Sequence, residues 1–339
     1  MSSPRMAPAT TTKWQPATGE LTAPTTAVED LYVIGHFGIA HVAADEWRLR
    51  VGGRVERALS LTLDDVRALP SVRVQAVLEC FGNPLRPDEP TRRAGNVVWR
   101  GVPVATVLDL AGAADGRVLW AAGYDSGVFD GTRCTEYLKD LPLDVVRDRG
   151  ILAYEMNGEP LSAEHGFPAR LFVPGYFGTN NVKWLRSLTV ADDRPEHLFT
   201  TTLYQRAAAG SAVLEPVRSL DVNSLVTAVT AVTAVADGGA DVRGWAWSSA
   251  EVVAVEVGLA HGGEPEDVDA WVPAELGPTV GGAFGWRSFS ASPVRQPGLR
   301  TVFARAHDAA GRRQPLRGAR NACHAVDVEA SRPPRNERR

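Results

Sequence analysis

Lysine is nearly absent from this chain. Of 36 basic residues only Lys13, Lys139 and Lys183 are lysine, and the other 33 are arginine. Cysteine is equally sparse. Cys80, Cys134 and Cys323 are an odd number at wide spacing, which excludes a disulfide framework and the paired spacing of a zinc site. Such usage suits a reducing compartment, so a cytoplasmic location is expected. No run is long and apolar enough to span a bilayer. The net charge is −4 and the sequence pI about 6.0, so neither nucleic acid nor an anionic membrane is an expected partner. The first residues, Met1 to Glu20, are rich in Ala, Thr and Pro. They show no apolar core and no twin-arginine start, and residues 1–25 read as a disordered arm.

What is present is ordinary globular material, 44% hydrophobic and 22% charged over 339 residues, a length that points to two domains. The most informative stretch is Val74-Gln75-Ala76-Val77-Leu78-Glu79-Cys80-Phe81-Gly82-Asn83. Its alternating, β-branched approach predicts a strand, and Gly82-Asn83-Pro84 predicts a turn. Cys80 then sits at a strand end, placed to offer a soft ligand. A small buried hydrophobe is the commoner fate of a lone cysteine, and this stretch by itself leaves both open.

A second stretch changes the balance. His165-Gly166-Phe167-Pro168-Ala169-Arg170-Leu171-Phe172-Val173-Pro174-Gly175 is followed by Gly178-Thr179-Asn180-Asn181-Val182-Lys183-Trp184. Together the two stretches resemble the sulfite oxidase family of molybdenum-pterin enzymes, which also contains assimilatory nitrate reductases. The resemblance covers roughly residues 30–330. It implies an α+β fold: a mixed α/β molybdopterin-binding catalytic domain over 26–215, then an immunoglobulin-like β-sandwich over 216–330 through which two copies pair as a homodimer. Residues 331–339 are a polar tail.

The resemblance also implies a site. Cys80 is the metal ligand and a catalytic residue, and Tyr204 falls near the family's active-site tyrosine, with spacing after His197 off by about one residue. His36, His165, Arg170, Asn181, Val182 and Lys183 bind the pterin, with Arg170 and Lys183 on its phosphate and successive N–H groups of Gly178–Val182 as an anion nest. Cysteine suits such a sulfur-rich metal site. Each residue also has a plainer reading: ion pairs for Arg170 and Lys183, a satisfied turn histidine for His165, a packed ring for His36.

The chain departs from the family in two places. Ile34-Gly35 stand where the family has Arg-Asn before His36, and Pro84-Leu85 stand where it continues with a basic pair. Arg86 is the candidate replacement. Losing one charge-assisted pair costs about 1.5–3 kcal/mol, so losing two weakens a dianion by orders of magnitude. The expected function is therefore sulfite-oxidase-like two-electron oxygen-atom transfer on a small molecule, with an altered substrate pocket. The alternatives are an organic S- or N-compound, or nitrate, on the same cofactor; an inactive dimeric binding module; and an enzyme using Cys80 as a nucleophile. No haem-type His-Pro-Gly-Gly run occurs, so electrons pass to a separate protein or small molecule.

Local signals complete the expectation. Thr62-Leu63-Asp64-Asp65 predicts a helix start, and the helix ends before Pro70. A helix is expected over about 104–111, closed by Gly112, and a short one over Leu141 to Val146. Asn157-Gly158 predicts a hairpin turn. Beyond 216 the strand-like runs are Leu220–Val226, Asp241–Ser248, Val252–Ala260, Ala270–Glu275, Arg287–Ser292, Thr301–His307 and Cys323–Val328, with few helix signals.

Overall fold

The structure is a computed structural model that describes residues 12–16, 19, 21–83, 92–207, 212–231, 240–260, 263–294 and 301–327. The chain divides into two compact units. The first holds Thr25–Phe81 and Arg93–Leu220 with Met1–Pro16. The second holds Asp221–Arg339 with Ala17–Pro24 and Gly82–Arg92. The division after Leu220 lies five residues beyond the expected one, and two short segments leave the first unit altogether.

The first unit is mostly sheet. One sheet runs in the order Leu138–Pro142, Val118–Gly123, Leu185–Ala191, Leu49–Gly53, Leu59–Leu61. It contains one parallel pair, Leu185–Ala191 with Leu49–Gly53. The other runs Glu159–Pro160, Ile151–Met156, Ala94–Pro103, Val72–Glu79, with Arg170–Phe172 also on Ile151–Met156. Three short α-helices, Leu63–Arg67, Val104–Leu110 and Leu143–Arg149, complete it. The first starts as its sequence predicts. Thr62 Oγ1 accepts from the Asp65 N–H and Asp65 accepts from the Thr62 N–H, a reciprocal cap. The third begins two residues later than expected because Leu141 and Pro142 still pair with Leu119 and Val118. Asn157 and Gly158 both take positive φ, 52° and 93°, which the tight turn between its two strands requires.

The second unit has two four-stranded sheets. One is Asn223–Ala231, Ala240–Trp247, Arg287–Val294, Glu275–Thr279. The other is Val268–Pro273, Val252–Ala260, Thr301–Asp308, Val326–Asp327. Val226, Val242 and Phe289 from one sheet and Val255, Val257 and Val302 from the other share a single apolar core, as face-to-face sheets do. The expected run Ala270–Glu275 is two strands in different sheets. The chain crosses at Ala274, whose N–H donates to Val255 O at 2.8 Å.

The expected arm over 1–25 needs correction. Thr12–Trp14 forms a strand antiparallel to Val33–Gly35. Leu21 is buried, and its carbonyl and that of Pro24 accept the indole N–H groups of Trp245 and Trp286 at 2.8 and 2.9 Å. Two buried indole donors need acceptors, and this segment supplies them. Residues 1–11, the loop 84–91 with Arg86, and the tail 331–339 lie outside the described residues.

Candidate functional site

Val72–Glu79 ends where the sequence places its end. Cys80 is the next residue, half-buried, with its N–H donating to Arg93 O at 2.9 Å. It opens on a cavity of the first unit that is partly open to solvent. His36, His165, Arg170, Asn181, Lys183 and Tyr204 line the same cavity. Residues from four distant stretches of chain, that of Cys80 included, thus line one cavity.

One end of the cavity is cationic. Arg170, on the buried strand Arg170–Phe172, donates through Nη1 to His165 O at 3.0 Å and through Nη2 to Asn181 O at 2.9 Å. Its Nε has no partner, and among the described residues no carboxylate pairs with it. The guanidinium packs 5.1 Å from the Trp99 ring. Lys183 Nζ donates to Glu164 O at 2.8 Å and lies 4.2 Å from the Trp184 ring. Gly166, at φ 105°, lets the backbone pass so close that a Cβ there would sit 3.0 Å from Lys183 Cβ. Burial pushes Arg170 down to about 10 and Lys183 down to about 7. It pushes His165 down to about 4, with Arg170 and Lys183 adding to that fall. Buried Arg170 and half-buried Lys183, with the uncharged His165 ring beside them, make this end of the cavity a host for an anion.

Asp125 faces them. Its carboxyl is buried, pushed up to about 7 by desolvation against the pull of Lys183, and its Oδ1 has no partner. Sequence reasoning missed it. Its signal was available, since Asp125 follows the strand Val118–Gly123 much as Cys80 follows Val72–Glu79.

The other end is aromatic. His36 Nε2 and the Tyr204 hydroxyl share a hydrogen bond of 2.5 Å. The His36 ring stacks on Tyr137 at 5.5 Å and meets Phe129 and Phe199 edge-on at 4.9 and 5.1 Å. The Tyr137 hydroxyl donates to Thr179 O at 2.7 Å. Phe81 stands 6.2 Å from the Tyr204 ring, and Ile34 supplies an apolar wall. Tyr204 takes φ 57°, a left-handed conformation uncommon for a bulky residue. Burial, then proximity to Cys80, pushes its hydroxyl above the ordinary phenol range.

Two expected residues also bond within the protein. The Val182 side chain is buried in the apolar core, and its carbonyl accepts from Leu171 N–H. Asn181 reaches the cavity, but its side chain staples a loop: Oδ1 accepts from Val173 N–H at 2.7 Å and Nδ2 donates to Tyr176 O at 3.2 Å. The stretch Gly178–Asn180 is a 3₁₀ turn, and the Asn181 N–H closes on Gly178 O, so that N–H is not available to an anion nest.

Comparison with known proteins agrees with this geometry. Residues 36–199 match the oxidoreductase molybdopterin binding domain. The chain is 30% identical over 344 residues to mitochondrial sulfite oxidase of Drosophila melanogaster, covering 89% of this chain and 58% of that protein. It is 31% identical over 185 residues to an inducible NADH nitrate reductase of Glycine max, covering 50% of this chain and 21% of that protein. The chain thus spans little more than half the length of the first and about a fifth of the second. Its fold matches the sulfane dehydrogenase SoxCD from Paracoccus pantotrophus with a TM-score of 0.76 at 24% identity, over 93% of this chain and 86% of that one. The chain belongs to the sulfite oxidase family of molybdopterin-dependent oxidoreductases. Its donor set fits that cofactor: a buried guanidinium with no carboxylate partner among the described residues and an unpartnered Nε, beside Lys183, His165 and a half-buried thiol.

Proposed function

We propose that this chain catalyses two-electron oxygen-atom transfer on a small molecule, with Cys80 as the thiolate ligand of a molybdenum-pterin group. The observation that carries this is the placement of buried Arg170, which has no carboxylate partner among the described residues, beside buried His165 and half-buried Lys183 in the cavity that Cys80 enters. The cofactor, when bound, supplies the metal that accepts or gives the oxygen and the electron pair. Arg170 offers a fork and Lys183 a point charge to its phosphate. Asp125 offers an acceptor to its ring N–H groups.

The chain's own contribution to the substrate lies at the other end. The Tyr204 hydroxyl, held by His36, donates to an oxygen of the bound molecule, while Phe81 and Ile34 wall the cavity and Phe129 and Phe199 pack on the His36 ring. Ile34 lines the cavity where the family carries an arginine, and among the described residues no guanidinium lines this aromatic end. That favours a substrate of low charge, such as an organic S- or N-oxide or its reduced form, over a free dianion. Electrons pass to a separate protein or small molecule. The second unit reads as an immunoglobulin-type sandwich that pairs two copies, and sedentation at several concentrations tests that pairing.

The deciding experiment is metal and pterin analysis of the purified chain, followed by a screen of sulfite, nitrate, S-oxides and N-oxides. Near-stoichiometric molybdenum and pterin with turnover of an uncharged oxide is the expected result. Turnover confined to sulfite refutes the altered pocket. A metal-free protein from a molybdenum-replete host refutes the enzyme.

A further inference from the structure

Lys139 is one of three lysines in the chain and is 1% exposed. It lies on the strand Leu138–Pro142, and its Nζ donates to Phe199 O at 2.5 Å. The ammonium sits 5.5 Å from the centre of the Tyr204 ring. The neighbouring carboxylate, Asp140, is wholly buried and held by Arg194 at 2.7 Å and Arg218 at 3.0 Å. Among the described residues no carboxylate forms an ion pair with Lys139. A buried ammonium without a counter-ion costs stability, and an apolar side chain of the same length would pack there at no such cost.

What Lys139 touches gives its reason. Phe199 belongs to the π-helical turn Leu198–Thr202, a geometry frequent at functional sites. The chain then reaches Tyr204 in its left-handed conformation. Arg194 and Gln205 both donate to Thr200 O in the same turn. Phe199 and Tyr204 are also two of the rings around His36.

We propose that Lys139 is the positioning residue for Tyr204: its ammonium, anchored on the Phe199 carbonyl, holds the phenol toward His36 and strengthens its O–H as a donor to an oxygen in the cavity. A cation against an aromatic face is attracted to it, and positive charge beside a phenol draws electron density from the O–H bond. The inference rests on the role proposed for Tyr204 above.

The groups facing Lys139 set its charge. Burial pushes it down to about 7, Asp140 opposes, and Arg218 and Arg194 add to the fall. His197, on the other side, is itself held down in part by Lys139. The ammonium is therefore lost as pH rises through neutrality.

The test compares the holoenzyme with Lys139→Met and Lys139→Arg. Molybdenum and pterin content is expected to stay at the unsubstituted level in both. In Lys139→Met, kcat falls on the order of tenfold with KM nearly unchanged, and its decline above neutral pH disappears. Lys139→Arg restores part of kcat. A readout independent of turnover uses ring-labelled tyrosine in the cofactor-free protein, with Tyr204 assigned by Tyr204→Phe. Its resonance is expected to move between roughly pH 6 and pH 8 in the unsubstituted chain and to stand still in Lys139→Met. A stationary Tyr204 resonance in the unsubstituted chain overturns the proposal even if Lys139→Met fails to fold. Unchanged kcat and pH profile in a loaded Lys139→Met enzyme overturns it as well. Failure of the cofactor assignment shows separately, as missing molybdenum.

Discussion

His36 and Tyr204 stand 168 positions apart and share a hydrogen bond of 2.5 Å. The bond joins the strand end after Val33–Gly35 to the residue beyond the π-helical turn Leu198–Thr202. It fixes the phenol at the aromatic end of the cavity that Arg170 and Lys183 also line. His36 was expected to touch the pterin. Its hydrogen bond to Tyr204 points to a second role, through that phenol.

Removing either member of that pair is expected to lower kcat, and removing both to cost little more than the larger single loss. His36→Ala, Tyr204→Phe and the double variant form a cycle whose coupling term is about 1–3 kcal/mol for residues in one hydrogen-bonded unit. Strict additivity of the two losses contradicts it. Molybdenum content stays unchanged throughout.

Cys80→Ala is expected to abolish turnover and bound molybdenum together. Cys323 lies buried in a small apolar cluster of the second unit with its thiol pushed up to about 12. Cys323→Ala leaves specific activity intact. Elemental analysis of both variants decides, and activity surviving in Cys80→Ala sinks the metal assignment.

Arg170→Met separates stability from function. The guanidinium is buried with no carboxylate partner among the described residues, but it donates to the His165 and Asn181 carbonyls, so an apolar replacement trades relief of its desolvation against two unpaired acceptors and moves the stability of the cofactor-free protein by no more than about 1–3 kcal/mol. Cofactor retention weakens by about 1.5–3 kcal/mol for each charge-assisted bond lost, roughly 10- to 150-fold. Thermal unfolding of the stripped protein and pterin content after dialysis give the two readings.

The stripped protein is expected to gain stability as pH rises above 7. Folded Lys139 and Lys183 keep their protons only below about 7, against an ordinary value of 10.5. The unfolded chain binds more protons across that window, and stability rises with pH wherever this holds. Lys139, fully buried, contributes more than the half-buried Lys183. At lower pH two slopes oppose. His165, at about 4 against 6.5, favours rising stability, and Asp125, at about 7 against 3.8, favours falling stability. A Tm that drops between about pH 7 and about pH 9 contradicts the assignment.

Gly35→Ala is expected to damage the site through the backbone. A Cβ there would fall 2.2 Å from Gly38 O, so the turn that carries His36 must open. A cost of about 1–3 kcal/mol in stability is the usual scale for such overpacking, and kcat falls with it because the His36–Tyr204 bond stretches. Denaturant unfolding and steady-state rates measure the two effects.

Much of this protein is written in local residue patterns. Alternation of apolar side chains places the strand that ends at Cys80, the Thr62–Asp65 box starts a helix, and Asn157-Gly158 turns a hairpin, because each depends on neighbours a few residues away. The run from His165 to Lys183 carries the resemblance to the molybdopterin family for the same reason: its residues lie close together in sequence. Other features depend on which distant segments meet. Asp125 becomes an unpartnered acceptor, Asn181 a loop staple and Val182 a core residue only after folding sets their surroundings. Thr12–Trp14 becomes a strand because Val33–Gly35 offers an edge to pair with.

The amino-acid order by itself determined the sheet-rich architecture, since that follows from short-range periodicity, and its resemblance to the sulfite oxidase family pointed to the class of cofactor. Only the tertiary structure decided that His36 holds Tyr204 and that Lys139 lies against its ring. Burial and hydrogen-bond partnership are properties of packed surfaces, and no spacing along the chain encodes which surfaces come together.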